Sequence, residues 1–118
     1  MNDNLFKMAA RITIMTTKRV WSPFLIKRMH NCQEELILKA KTRKGFVSSA
    51  SYIGGETPTE NMFLISFSEW KNLRDWSEWE NSYDRREIID DFWNDSQGKM
   101  DVKTTILHSL SSVNYALL

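Results

Sequence analysis

Four side chains in this 118-residue sequence have the chemistry of a small-molecule site. His108 carries an imidazole, which titrates near neutral pH and suits a general base. The Tyr52 phenol suits a proton relay or a hydrogen-bond donor to a developing oxyanion. Trp70 offers a flat ring as a pocket wall, and Arg11 offers a guanidinium for a carboxylate or enolate. We predict His108 and Tyr52 as catalytic residues, and Trp70 and Arg11 as substrate-binding residues.

Each of these side chains also has a structural interpretation. A single His on a strand often lies in a core or an interface, and a Trp where a strand leads into a helix often belongs to the core. Arg11 points away from Ile12 on the first predicted strand, so it faces either a pocket or a contact between two sheets. The residue pattern leaves these alternatives open.

The composition is that of a globular chain rich in aromatic residues. Hydrophobic residues make up 42% and charged residues 26%, and there are five Trp, six Phe and three Tyr. The net charge of +1 argues against a strongly basic nucleic-acid-binding domain, and the apolar runs are too short to span a bilayer. We expect one domain over residues 1–118, with a core at about 8–112, that binds neither nucleic acid nor membrane.

The few metal-binding and redox-active residue types exclude several classes of site. Cys32 is the single cysteine, so an intramolecular disulfide or a zinc knuckle cannot form. It lies on the apolar stripe of a predicted helix, which favours packing over nucleophilic chemistry. His30 and His108 lack the close spacing of metal ligands. We expect a protein that uses no metal and no cofactor. We also expect it to be intracellular and cytoplasmic, with an organelle address left open.

The first half of the chain predicts a strand followed by a long helix. Residues 8–17 alternate between apolar and polar side chains, as a half-buried strand does. Ser22 and Pro23 are an N-cap and a first-turn proline, and they open a helix that ends in the region 42–45. Its apolar stripe comprises Leu25, Met29, Cys32 and Leu36.

The second half predicts two strands, a broken helix and a last strand. Asn72 is an N-cap with Asp75 at the third helical position, and Asn81 or Ser82 restarts the helix, which ends in the region 95–98. The predicted strands are residues 46–53, 62–70 and 102–110. This β-α-β-β-α-β order predicts a ferredoxin-like α+β domain, with four antiparallel strands and the helices on one face.

Apolar residues occur on both faces of the third predicted strand. Phe63, Ile65 and Phe67 share one face, and Leu64 and Trp70 share the other. The helices can cover only one of these faces, so the second needs a partner. We predict a homodimer that packs sheet against sheet.

A resemblance to a known family is carried by the region 45–89. The residues that carry it are Gly45-Phe46-Val47, Phe63-Leu64-Ile65-Ser66, Glu69-Trp70-Lys71-Asn72, Trp76-Ser77-Glu78-Trp79, Asn81-Ser82 and Arg85-Arg86-Glu87-Ile88. This region resembles the antibiotic biosynthesis monooxygenase (ABM) family, a group of dimeric α+β barrels. The resemblance implies a pocket between helices and sheet in each subunit, and a dimer made by joining the sheets.

The resemblance also implies a set of functions. Known members include cofactor-independent oxygenases of polycyclic phenols, haem-degrading enzymes, and enzymes of signal-molecule or small-aldehyde metabolism. The expected function is therefore a cofactor-independent monooxygenase acting on a small aromatic or otherwise oxidisable molecule, with His108 as the base that forms the electron-rich anion. The alternative is a non-catalytic small-molecule binding or regulatory module of the same fold.

Haem degradation is a third function that the resemblance introduces. In that branch a Trp ends the third strand, and Trp70 occupies the matching place. The branch also has an Asn on the first strand and a His on the later helix, whereas this sequence has Ala-Ala-Arg at 9–11 and Arg-Arg-Glu at 85–87. Two of the three residues are therefore absent, which argues against haem cleavage by that mechanism.

Overall fold

Four strands and three helices follow one another in the order β-α-β-β-α-α-β in the computed structural model, which describes residues 11–20, 23–55, 63–96 and 100–108. The strands are β1 (Ile12–Val20), β2 (Phe46–Gly54), β3 (Phe63–Trp70) and β4 (Met100–His108). The helices are α1 (Pro23–Ala40), α2 (Leu73–Glu80) and α3 (Tyr83–Ser96). The predicted order is confirmed, and the broken second helix is two separate helices.

The strands form one antiparallel sheet in the order β2-β3-β1-β4, which is the ferredoxin-like arrangement. The central strand β1 pairs with β3 on one side and with β4 on the other, so Ile12 lies opposite both Trp70 and His108. Ile12, Ile14, Leu64 and Trp70 are buried on the face that the helices cover. The predicted ferredoxin-like fold class is therefore confirmed.

The first strand extends further than its sequence pattern predicts. The predicted strand ended at Thr17, but β1 continues to Val20. Residues 8–10 of the predicted strand lie outside the described part of the chain. The extension is held by pairing, since Lys18 lies opposite Leu64 of β3 and Val102 of β4. Lys18, in this extension, is buried and hydrogen-bonded within the fold.

The apolar stripe of α1 is confirmed. Leu25, Met29, Cys32 and Leu36 are all buried and belong to the same core cluster as Ile12 of the sheet. The helix ends at Ala40, and its predicted cap Ser22 lies outside the described residues. The stripe therefore fixes which side of the helix faces the sheet.

Polar side chains cap the second and third helices. Asn72 caps α2 as predicted: its Oδ1 accepts a hydrogen bond from the Asp75 backbone N–H at 2.8 Å, and its Nδ2 donates to Asp75 Oδ2 at 3.2 Å. Ser82 caps α3 by accepting from the Arg85 backbone N–H at 3.2 Å, while Asn81 is the C-cap of α2. Each helix is thus stopped or started by its own polar side chain.

The face of the sheet turned away from the helices is apolar. Phe63, Ile65 and Phe67 share this outer face, as predicted, and Met15 lies opposite Phe67. Tyr52 of β2 also lies on it, with its ring edge-on to Phe67 at a centroid distance of 6.0 Å. Within the described residues, no helix covers these side chains.

Gly45 gives the first prediction, because it holds the start of β2 beside α2. Its φ is +89°, and its carbonyl oxygen accepts a hydrogen bond from the Lys71 backbone N–H at 2.8 Å. A Cβ at this position would overlap the carboxylate of the buried Asp75. We expect Gly45→Ala to lower the free energy of unfolding by about 2 kcal/mol or more, since positive φ alone costs a non-glycine residue about 1 kcal/mol or more.

Urea unfolding measures this loss. Lys44→Ala is the matched control, since Lys44 is an exposed neighbour whose replacement should change stability by at most about 0.5 kcal/mol. Equal stability of Gly45→Ala and Lys44→Ala would contradict the stated role of Gly45.

Candidate functional site

A cavity of about 300 Å³ lies between the helix-side face of the sheet and the three helices. Its lining combines aromatic and aliphatic side chains with polar ones. The aromatic side chains on the helix side are Phe46, Trp70, Trp76 and Trp79, and the polar members are Thr16, Lys18, Gln33, Ser49, Ser66, Ser68, Glu80 and Arg85. Small-molecule sites span roughly 300–1,000 Å³, so this volume suits a compact ligand.

Trp70 is both a core residue and a wall of the cavity. Its side chain is fully buried, and its indole N–H donates to Ser68 Oγ at 3.0 Å. A register shift in β2 between Phe46 and Ser48 keeps the Phe46 ring on the helix side, edge-on to Trp70 at a centroid distance of 5.4 Å. The indole is therefore held in one orientation. Its role in binding substrate stays a prediction.

Two tryptophans of α2, Trp76 and Trp79, also line the cavity. Trp76 and Trp79 are three residues apart and so lie on one side of the helix. The guanidinium of Arg43 lies 5.8 Å from the centre of the Trp79 ring and also pairs with Asp84 Oδ2 at 3.0 Å. The end of α1 is thereby connected to both α2 and α3.

The other predicted site residues lie outside the cavity lining. Arg11 is exposed and pairs with Glu69 Oε2 at 3.3 Å, while Tyr52 lies on the outer face with 59% of its surface exposed. His108 lies on the helix-side face of β4, opposite Ile12. The structure therefore brings Trp70 to the cavity and separates it from Arg11 and Tyr52. The roles assigned to these residues stay predictions.

Lys18 is the cavity residue that the sequence interpretation missed. It is only 4% exposed, and its ammonium donates to Gln33 Oε1 at 3.2 Å. Gln33 is held in turn by a hydrogen bond from its Nε2 to Ser51 Oγ at 3.5 Å. The available signal was the alternation of side chains along the strand, because Lys18 shares the helix-side parity of Ile12 and Ile14, six and four residues before it.

Burial is the main influence on the titration of Lys18. It lowers the pKa of the amine, and the positive Arg85 acts in the same direction, while Cys32 and Glu80 oppose the change. Burial raises the pKa of the Cys32 thiol, so the thiol stays protonated at neutral pH. Glu80 already has a cationic partner, because its Oε2 lies 3.2 Å from Arg85 Nε.

The described residues offer little to a metal ion or to haem. In the ranges that the structure describes, no three His, Cys, Asp or Glu side chains converge as metal ligands. The described lining also contains no His, Cys, Met or Tyr, the residue types that ligate haem iron. This lining therefore does not fit haem. Separately, none of the described helices has the length and apolar character of a membrane span.

The lowered pKa of Lys18 gives the second prediction. Between the folded pKa and the unfolded value of 10.5, the unfolded chain binds more protons, so the free energy of unfolding rises with pH across that window. In Lys18→Met this contribution is absent. We expect the stability of the variant relative to wild type to fall as pH rises toward 10.5, by about 1.4 kcal/mol per unit of pKa lowering.

Urea unfolding of both proteins at a series of pH values measures this difference. Lys27→Met, at an exposed lysine of α1, is the matched control and should show no such trend. A difference between Lys18→Met and wild type that stays constant with pH would show that Lys18 titrates alike in the folded and unfolded chains.

Solved structures resemble this chain, whereas no protein-family model and no curated protein sequence matches it. A Bacteroides thetaiotaomicron protein of unknown function, described as a possible oxidoreductase, has a TM-score of 0.69 at 13% identity and covers 86% of this chain and 99% of its own. A mutant of SnoaB, a cofactor-independent oxygenase from Streptomyces nogalater, has a TM-score of 0.67 at 10% identity, covering 86% and 95%.

A third similar structure is a candidate antibiotic biosynthesis monooxygenase from Nitrosomonas europaea. Its TM-score is 0.66 at 10% identity, and the alignment covers 87% of this chain and 94% of that one. At these identities the likeness concerns the arrangement of strands and helices. The chain therefore shares the ferredoxin-like α+β fold of these structures.

Proposed function

We propose that this protein is a cofactor-independent monooxygenase that oxidises a small aromatic or otherwise oxidisable molecule in its cavity. The observation that carries the proposal is the cavity itself, with aromatic walls and an interior row of polar groups. Aromatic walls hold a flat ring, and a few fixed polar groups orient it. The fold shared with SnoaB, described as a cofactor-independent oxygenase, supports this choice of chemistry.

The reaction needs a substrate that reduces oxygen by itself. Loss of a proton from a phenol or enol makes the ring system electron-rich, and a neighbouring ring CH₂ group is then oxidised to C=O while O₂ is reduced and one molecule of water forms. In this scheme Trp70 and Phe46 hold the ring, and the enclosing helices keep bulk water from the reactive intermediate. His108 keeps its predicted role for a substrate that extends beyond the cavity lining. Tyr52 and Arg11 lie toward the other face of the sheet, so their predicted roles need a ligand on that face.

A non-catalytic binding module is the second candidate function. One observation favours it: of the four side chains predicted to act on substrate, Trp70 alone belongs to the described cavity lining. Such a module would bind the same class of ligand in the same cavity without oxygen consumption. Catalysis and binding are therefore measured separately.

Oxygen uptake with a panel of phenols and quinols gives the third prediction. We expect uptake with at least one compound, and a KM increased by about tenfold in Ser49→Leu, because the larger side chain occupies part of the cavity. Ser48→Leu is the matched control, because the Ser48 side chain, next in the chain to Ser49, lies on the outer face opposite Glu69 and outside the cavity. Saturable binding without any uptake would favour the binding module.

We further propose that the outer face of the sheet forms a homodimer. Its half-buried apolar side chains, among them Met15, Ile65 and Phe67, form a continuous surface across neighbouring strands. Removing such a surface from water is favourable by about 25 cal/mol per Å² of apolar area. A second copy of the chain supplies a surface of the same kind.

Light scattering gives the fourth prediction. We expect a particle of twice the chain mass of 13.9 kDa for wild type and a monomer for Ile65→Asp, which places a carboxylate in the centre of the contact. Leu38→Asp is the control, since Leu38 is a 65% exposed residue of α1 in the helix layer. A monomeric wild type, or a dimer that survives in Ile65→Asp, would contradict this arrangement.

A further inference from the structure

Lys18 places a cationic group in the cavity without an opposite charge against it. Among the described residues its ammonium has one hydrogen-bond partner, the neutral amide oxygen of Gln33, and forms no ion pair. Leu64 and Val102, its neighbours on the adjacent strands, are apolar. An ammonium so placed is stabilised by an incoming anion, because the neutral surroundings replace its lost hydration only in part.

The charged and titratable groups nearest to Lys18 do not provide that anion. Glu80 of α2 is paired with Arg85 of α3, and the Cys32 thiol of α1 stays protonated. Arg85 and Glu80 both line the cavity as an ion pair, so its net positive charge comes from Lys18. The part of the cavity around Lys18 is therefore electrostatically suited to a ligand with negative charge.

We propose that Lys18 is the proton acceptor and anion anchor of the cavity, and that the ligand is a phenol or enol that ionises on binding. The inference rests on the proposed occupation of the cavity by a small aromatic molecule. In its neutral form the Lys18 amine takes the proton of the ligand hydroxyl. The O–H bond breaks, an N–H bond forms, and the products are an ammonium and an oxyanion in contact.

Two hydroxyl groups are placed to hold the resulting oxyanion. Thr16 of β1 and Ser66 of β3 lie directly opposite each other, on the same face as Lys18 and one row away from it, and both line the cavity. Hydroxyls and ammonium groups donate hydrogen bonds that strengthen when the acceptor becomes charged. Burial lowers the pKa of Lys18, which increases the fraction of neutral amine that can accept the proton.

4-Nitrophenol tests this inference without turnover, because its neutral and anionic forms absorb at different wavelengths. A neighbouring cation lowers the pKa of an acid by about 1 to 3 units. At a pH about one unit below the pKa of the free probe, we expect the ionised fraction to rise from about a tenth to at least about half when wild-type protein is added in excess. An absorbance titration at equilibrium measures this fraction.

Substitutions at two lysines separate the anchor from general charge effects. Lys18→Met, or Lys18→Gln should the first variant not fold, is expected to abolish the rise in the ionised fraction. Lys27→Met, at an exposed lysine of α1 outside the cavity lining, is expected to retain it. The inference is overturned by a rise that persists in a folded Lys18 variant, or by the absence of any rise in the wild-type protein.

The oxygen-uptake measurement is independent of this one, because ionisation of 4-nitrophenol consumes no oxygen. Ionisation together with a lack of uptake on every compound would retain the Lys18 anchor and remove the oxygenase. Uptake in the absence of ionisation would retain the oxygenase and remove the anchor.

Discussion

The helix-side face of β1 is the constraint on which the rest of the structure depends. This strand lies in the middle of the sheet, so the side chains of its helix-side face are covered by helices and flanked by strands on both sides. At its start that face presents Ile12 and Ile14, which bury apolar surface against α1. Farther along it presents Thr16 and Lys18, which cannot fill an apolar core without hydrogen-bond partners. The same face therefore changes from core to cavity within one strand.

Most of the fold could be predicted from the spacing of apolar residues and from helix-capping residues in the sequence. The spacing of Leu25, Met29 and Leu36 identifies the buried side of α1, and Asn72 identifies the start of α2 by a side-chain cap. These features depend on neighbours along the chain, which is why periodicity and capping rules capture them. The element order then leaves few ways to arrange four strands.

The site was less predictable because its residues meet only through the tertiary fold. Lys18 and Arg19 form a cationic pair typical of a surface strand end, and the partner of Lys18 is a Gln fifteen residues later on a helix. The side chains of Tyr52 and Arg11 have suitable chemistry, but strand register places them on the outer face. A shift of one residue in strand register moves a side chain to the opposite face of the sheet, and the composition of the chain does not reveal the register.

The contacts at the corner between α2 and α3 make one part of this molecule sensitive to the ionic strength of the solution. Arg43 joins that corner to the end of α1 through Asp84 and the Trp79 ring, and its ion pair is partly exposed. Dissolved salt weakens exposed charge pairs much more than buried contacts, since its screening operates through water. Ionic strength therefore acts on the rim of this protein, where the aromatic wall is held to the first helix, while the Lys18–Gln33 contact inside is shielded from it. The Arg43–Asp84 pair at the rim therefore responds to ionic strength, and the Lys18–Gln33 contact in the interior responds to pH.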